Sequence, residues 1–227
     1  MTGVRAFPSR ADYTKGMKMT AMRIHRIGAI EADSPPLRAD RVDVPVPGPG
    51  EVLIRVLACG VCHTELDEIE GRTPPPTLPM TPGHQVVGRV EEEGRDCVMD
   101  LAGKRVGVAW IHSACGRCAW CREGRENLCP EFTATGRDAP GGYAEFMVVP
   151  EAFVHELPAT IGDVEATPLF CAGAVGYRAL ELCELRNGQR LGLTGFGASG
   201  HLVLQMARHR FPDSTISVFA RSEIEQT

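Results

Sequence analysis

The residues best equipped for chemistry stand together in Gly60-Val61-Cys62-His63-Thr64-Glu65, which sets a thiol, an imidazole, a hydroxyl and a carboxylate side by side. They follow the apolar-rich run Val52-Leu53-Ile54-Arg55-Val56-Leu57, so the four polar groups emerge at a strand end. Such a stretch is either a site or a turn around a buried thiol, and partners elsewhere in the chain decide between the two. A second group is Cys115-x2-Cys118-x2-Cys121-x7-Cys129. Four cysteines this close can surround one zinc ion as thiolates, close it to water and pin a loop with little core of its own. Cysteines at x2 intervals with Pro130 after Cys129 also fit ferredoxin-type iron–sulfur ligation, although the long last gap and the single set argue against it.

Two further donors follow. His84 lies in Thr81-Pro82-Gly83-His84-Gln85-Val86, at the head of a strand, and Cys171 lies in Leu169-Phe170-Cys171-Ala172-Gly173. Together Cys62, His84 and Cys171 would make a Cys2His set with one position open, as a catalytic zinc requires in order to bind an alcohol oxygen and lower its pKa. Taken singly, His84 also reads as a satisfied structural histidine and Cys171 as a small buried thiol. The third chemical feature is Gly195-Phe196-Gly197-Ala198-Ser199-Gly200, between the short strand Arg190 to Thr194 and the helical run His201 to Arg208. In that context Gly195, Gly197 and Gly200 let the backbone approach a pyrophosphate at the helix N-terminus. The next strand, Thr215 to Ala220, ends without the carboxylate that would grip the ribose of NAD. Arg221 follows it and reads either as a partner for a 2′-phosphate or as a solvated loop residue. NADP(H) is therefore favoured over NAD(H).

These residues need a frame. From Val42 to about Leu157 the chain reads as short strands broken by Gly and Pro, the pattern of a compact β-barrel or sandwich. A short helix, Thr64 to Glu70, is expected to leave the opening stretch and end at Gly71. Past Pro158 the pattern becomes helical, and Arg190 to Ala220 reads as one βαβ unit. The first 21 residues show little periodicity and are expected to be a flexible extension.

The whole chain has 227 residues, 43% of them hydrophobic and 23% charged, with a formal net charge of −5. It lacks the basic stripe that nucleic acid requires. No apolar run approaches the roughly 20 residues that span a bilayer, and the N-terminus has no signal-peptide core. A cytoplasmic protein is expected, in which nine cysteines serve as metal ligands and buried thiols rather than disulfides. Cys59, Cys97 and Cys183 have no assigned role.

In order, Gly60-Val61-Cys62-His63-Thr64, Pro82-Gly83-His84, the four-cysteine loop, Cys171-Ala172-Gly173 and the glycine turn resemble the zinc-dependent alcohol dehydrogenases of the medium-chain dehydrogenase/reductase superfamily. The resemblance runs from about Met22 to the end of the chain. It implies a two-domain α+β and α/β fold, with a GroES-like β-barrel catalytic domain over 22–172 and the first βαβ unit of a Rossmann domain over 173–227. It further implies two zinc ions, one catalytic on Cys62, His84 and Cys171 and one structural on Cys115, Cys118, Cys121 and Cys129. Thr64 is then placed to pass the alcohol proton outward, His63 to meet the cofactor pyrophosphate, and Glu65 to orient the histidine ligand where the family usually has aspartate. Gln85 replaces a glutamate close to the metal. Asp67 replaces the histidine that ends the proton relay, so a changed pH profile is expected. Trp110 matches a position that narrows the substrate pocket, and reads equally as an aromatic core residue.

The implied activity is interconversion of primary or secondary alcohols with aldehydes or ketones by hydride transfer to the nicotinamide, with a small-molecule alcohol or aldehyde as substrate and a homo-oligomer expected for the complete protein. One βαβ unit is too little to bury a parallel sheet on both faces. The chain is therefore expected to be the N-terminal two-thirds of such an enzyme, with poor turnover on its own. The alternative is a non-catalytic zinc-binding fragment.

Overall fold

The computed structural model describes residues 16–31, 33 and 35–220. The chain divides into two compact units, the first ending at Thr167 and the second beginning at Pro168. Cys171, which the sequence boundary at 172 places in the catalytic domain, thus falls in the second unit.

The first unit opens with an antiparallel pair, β1 (Lys18–Ile24) and β2 (Leu37–Asp43), in register from Lys18 opposite Asp43 to Ile24 opposite Leu37. This corrects the expected extension over 1–21. Met19 and Ala21 are buried on β1, so Lys18 to Ala21 are strand, while residues 1–15 lie outside the described residues. The chain continues with β3 (Glu51–Gly60), α1 (His63–Glu70), β4 (Gln85–Glu93), β5 (Arg105–Val108), β6 (Ile111–Ser113), α2 (Ala119–Arg122), β7 (Thr133–Ala134), β8 (Phe146–Pro150), β9 (Val154–Glu156) and α3 (Asp163–Ala166).

A five-stranded antiparallel sheet, in the order β8-β3-β4-β5-β9, carries the core. On β3, Val52 and Ile54 join Val86, Val90, Val106, Val108, Met147 and Val149 in one cluster, while Leu53 packs with Met19 and Val44 in another. Both faces of β3 are therefore covered, which is why its sequence is nearly continuous in apolar residues instead of strictly alternating. Register shifts between Leu53 and Ile54 and between Val56 and Ala58 mark bulges that bend the strand. Such bends curve the sheet, whose edge strands among the described residues are β8 and β9.

The second unit contains α4 (Ala172–Leu182), β10 (Arg190–Thr194), α5 (Ala198–Arg210) and β11 (Thr215–Phe219). β10 and β11 are parallel, with Arg190 opposite Thr215 and Thr194 opposite Phe219, and α5 connects them. This is the expected βαβ unit. Gly176 of α4 lies so close to α5 that a Cβ there would stand 2.7 Å from Val203, so a small residue sets that helix contact.

Candidate metal centres and cofactor turn

Strand pairing brings Cys62 and His84 together. Gly60, the last residue of β3, pairs with Gln85, the first of β4, so the two residues just beyond leave the same end of one ladder. Their ligand atoms lie within 4.8 Å of each other. Cys62 occupies the N-cap of α1 in extended conformation, and its backbone N–H donates to Glu65 Oε2 at 2.7 Å. The cap thereby fixes both the turn that presents the thiol and the rotamer of the glutamate. His84 follows Gly83, whose φ of +99° favours glycine and whose Cβ would stand 2.5 Å from the ring of Tyr143.

Glu65 Oε1 stands 2.8 Å from His84 Nδ1, a short contact outside hydrogen-bond alignment, with Glu65 3% and His84 1% exposed. With Nδ1 facing a carboxylate, Nε2 is the nitrogen left to meet a cation. The ring of Trp110 meets that of His84 edge-on at 5.0 Å, and Arg137 lies over Trp110 at 5.6 Å. Thr64 Oγ1 is 3.5 Å from Cys62 Sγ. His63 is exposed, 3.7 Å from Asp67. Asp67 is tied to Arg72 by a 2.5 Å hydrogen bond, a partner that sequence reasoning missed although Arg72 follows directly after the helix cap Gly71. Burial drives the Cys59 thiol up to about 12, which makes it an inert wall residue.

The four-cysteine loop is the second centre. Cys115, Cys118, Cys121 and Cys129 place their sulfurs within 4.8 Å of one another, with Cys115 to Cys121 at 3.9 Å and Cys118 to Cys121 at 3.5 Å. Four thiolates at a Zn–S distance of about 2.3 Å stand about 3.8 Å apart around a tetrahedron. The loop therefore fits a single ion, whereas ligands around an iron–sulfur cluster must stand farther apart to leave room for it. Backbone N–H groups of Cys115 and Glu131 point at Cys129 Sγ, at 3.5 and 3.4 Å. N–H groups at Arg117 and Cys118 pull the Cys115 thiol down to about 7, while burial pushes Cys121 up to about 12. Four adjacent thiolates need a cation to coexist, so loading this loop releases protons.

In the second unit Cys171 is the N-cap residue of α4, half-buried, with its N–H directed at Pro168 O at 3.3 Å. Gly195 and Gly197 form the turn between β10 and α5, and Gly200 lies in the first turn of α5. Gly197 caps the helix with no side-chain bond, and a Cβ on Gly200 would stand 2.9 Å from Gly195 O. Backbone N–H groups are thus left to face an anion, as a pyrophosphate site requires. β11 ends at Phe219 and no carboxylate follows at Ala220. Arg221 lies outside the described residues.

Comparison with known proteins bears on the whole arrangement. Residues 48–159 match the alcohol dehydrogenase GroES-like domain. This match supports assignment to the medium-chain dehydrogenase/reductase superfamily. It is 47% identical over 194 residues to a probable alcohol dehydrogenase, AdhA, of Mycobacterium tuberculosis, covering 83% of this chain and 56% of that protein. Among solved structures, AibC superposes with a TM-score of 0.85 at 31% identity, covering 98% of this chain and 61% of AibC. A cobalt- and zinc-bound thermostable alcohol dehydrogenase from Pyrobaculum aerophilum superposes with a TM-score of 0.81 at 25% identity, over 92% and 61% of the two chains. The chain spans about half the length of the curated relatives it matches. No helix among the described residues is long and apolar enough to cross a membrane.

Proposed function

We propose that this medium-chain dehydrogenase/reductase chain belongs to a zinc-dependent oxidoreductase that interconverts alcohols and aldehydes or ketones with a nicotinamide cofactor. The observation that carries the reading is the Cys62–His84 pair with Glu65 buried behind it, a ligand pair whose histidine already faces its orienting carboxylate. Cys171 completes the ligand set and leaves one position for substrate, while Cys115, Cys118, Cys121 and Cys129 hold a structural zinc. Zinc supplies Lewis acidity to the substrate oxygen, and the nicotinamide carries the hydride.

The residues of the chain divide the remaining work. Thr64 Oγ1, beside Cys62, takes and passes on the substrate proton. His63, exposed at the start of α1, meets the cofactor phosphates and hands protons toward Asp67, whose carboxylate ends the relay under the influence of Arg72. Gly195, Gly197 and Gly200 admit the pyrophosphate, and Arg221 favours NADP(H) over NAD(H). Small-molecule alcohols and aldehydes are the substrates, the complete protein is a cytoplasmic homo-oligomer, and Trp110 narrows the pocket from its place against His84.

Metal analysis tests the reading. Two zincs per chain, with NADPH binding tighter than NADH, support it. One zinc per chain supports a non-catalytic zinc-binding fragment instead, a second reading favoured by the four-cysteine loop holding all its ligands within one short segment of the first unit. Bound iron overturns both.

A further inference from the structure

The proposed mechanism makes no use of Glu68, which is fully buried on α1 and has no hydrogen-bond partner at either carboxyl oxygen among the described residues. It stands one turn beyond Glu65 on the same buried face of the helix. The charged groups that act on it are few. Glu65 and Asp67 repel from α1 itself, Asp138 repels from the segment after β7, and Arg137 attracts. Arg137 is already committed: its Nη2 donates to Asp138 Oδ2 at 2.8 Å, and its guanidinium lies over the rings of Trp110 and Phe132. Tyr143, from the segment before β8, faces the same group, and its buried hydroxyl also has no partner among the described residues. A carboxylate in this place is shielded from bulk solvent, its nearby guanidinium is shared with Asp138, and a second carboxylate is close by. Burial first, and the charge of Glu65 second, push the Glu68 carboxyl up to about 8.

We propose that Glu68 is a positioning residue for the Cys62–His84 centre: it carries a proton while Glu65 holds His84, and when it releases that proton to solvent it sets a second negative charge behind the pair and tightens metal binding there. In the protonated state Glu65 is the only buried anion of the face, and its charge is directed at His84 Nδ1. In the ionised state two anions back the ligands, and a cation between Cys62 and His84 is the charge that relieves them. Metal binding and deprotonation of Glu68 are then linked, each favouring the other. The coupling rests on Cys62 and His84 being metal ligands, whereas the buried proton on Glu68 does not.

Carboxyl 13C NMR of the 227-residue chain labelled with 13C-glutamate tests the proton directly. We expect one glutamate resonance to titrate near pH 8 and to be missing from Glu68→Gln. A wild-type spectrum in which every glutamate titrates below pH 6 overturns the proposal, and this measurement needs no variant to fold. The coupling is read from zinc affinity at the Cys62–His84 pair by chelator competition, with the four-cysteine loop already loaded. Between pH 7 and pH 9 the wild type should gain at least about tenfold more affinity than Glu68→Gln, as a buried charge near the ion produces. Equal gains overturn the coupling. If the chain takes up only one zinc, the reading of Cys62 and His84 as ligands fails and the coupling fails with it, while a Glu68 resonance at pH 8 would show that the buried proton is real.

Discussion

The two candidate metal centres are built in opposite ways. Cys115, Cys118, Cys121 and Cys129 come from a single excursion whose only regular elements are the four-residue α2 and a three-residue 3-10 turn, Glu126–Leu128, and of the four cysteines only Cys129 is buried. Cys62 and His84 instead leave the end of the β3–β4 ladder, above strands whose core residues Val52, Ile54, Val86 and Val90 are fully buried. In the loop the metal must supply the order. At the ladder the fold supplies the order and the metal is received. A site that chemistry must enter and leave gains from the second construction, because its ligand geometry survives when the ion is exchanged.

The largest expected effect follows from the first half of that comparison. Cys118→Ser removes one of four thiolates and leaves an incomplete site, and structural zinc sites of this kind contribute on the order of 10 kcal/mol to the order of their surroundings. Limited proteolysis should then cut the segment between Cys115 and Cys129, with loss of one zinc and a fall in Tm, while amide exchange in β3 and β4 stays slow. Equal loss of protection in the sheet would show that the loop and the ladder are one cooperative body and would break the contrast.

The second effect is a pH dependence at the ladder. Glu68 has a folded-state pKa near 8 against an ordinary value of 4.5, so the folded chain keeps a proton that the unfolded chain loses. Stability therefore falls as pH rises from about 4.5 to 8 and is level with respect to this group above that range. The slope should disappear in Glu68→Gln, with a gain at pH 8 on the order of 4 kcal/mol from the same shift. Urea unfolding at pH 5 and pH 8 measures it. A variant no more stable than wild type at pH 8 would mean that Glu68 is paid for by contacts it makes in the fold.

The third effect sharpens what the ladder does for the site. Ile54→Ala opens a cavity under β3 and should cost about 3 kcal/mol. Because Ile54 lies on the strand that leads to Cys62, zinc affinity at the Cys62–His84 pair should fall with it, while the four-cysteine loop binds as before. Chelator competition on the variant separates the two.

How much of this could be read from the chain depends on the same contrast. The cysteine loop is legible in spacing alone, because its ligands are near in sequence. The pairing of Cys62 with His84 is not, since it depends on Gly60 standing opposite Gln85, and register is a property of two strands. The glycine turn and its βαβ unit were plain, since Arg190–Thr194 has the bounds expected from the apolar run. β1 and β2 were hidden: Met19 and Ala21 face inward, but the neighbouring methionines on β1 and the charges of Arg38, Asp40, Arg41 and Asp43 on β2 blur any period of two. The division after Thr167 falls between Pro158, where the pattern turns helical, and the expected boundary at 172. Glu68 was hidden for a different reason. On a helix with Glu65, Asp67 and Glu70, a further glutamate reads as one more solvated charge, and only the packing of α1 shows that Glu65 and Glu68 face inward.

The smallest expected effect is also the one that separates the two centres most cleanly. Glu65 fixes Cys62 through its N–H and His84 through Nδ1, so it acts on both ligands without being one. Glu65→Gln keeps the size of the side chain and an oxygen for the Cys62 N–H, but removes the charge that faces the imidazole. Zinc affinity at the pair should drop about 10- to 100-fold, the usual consequence of losing a carboxylate behind a histidine ligand, with the four-cysteine loop unchanged. Glu65→Asp, which restores the charge on a shorter arm, should recover part of the loss. If Gln binds zinc as tightly as Glu, the carboxylate serves only the helix cap, and the ladder alone places His84. In that case Glu65→Asp, which can also accept from the Cys62 N–H, would likewise show no loss, and the second anion at Glu68 would have no partner charge to reinforce.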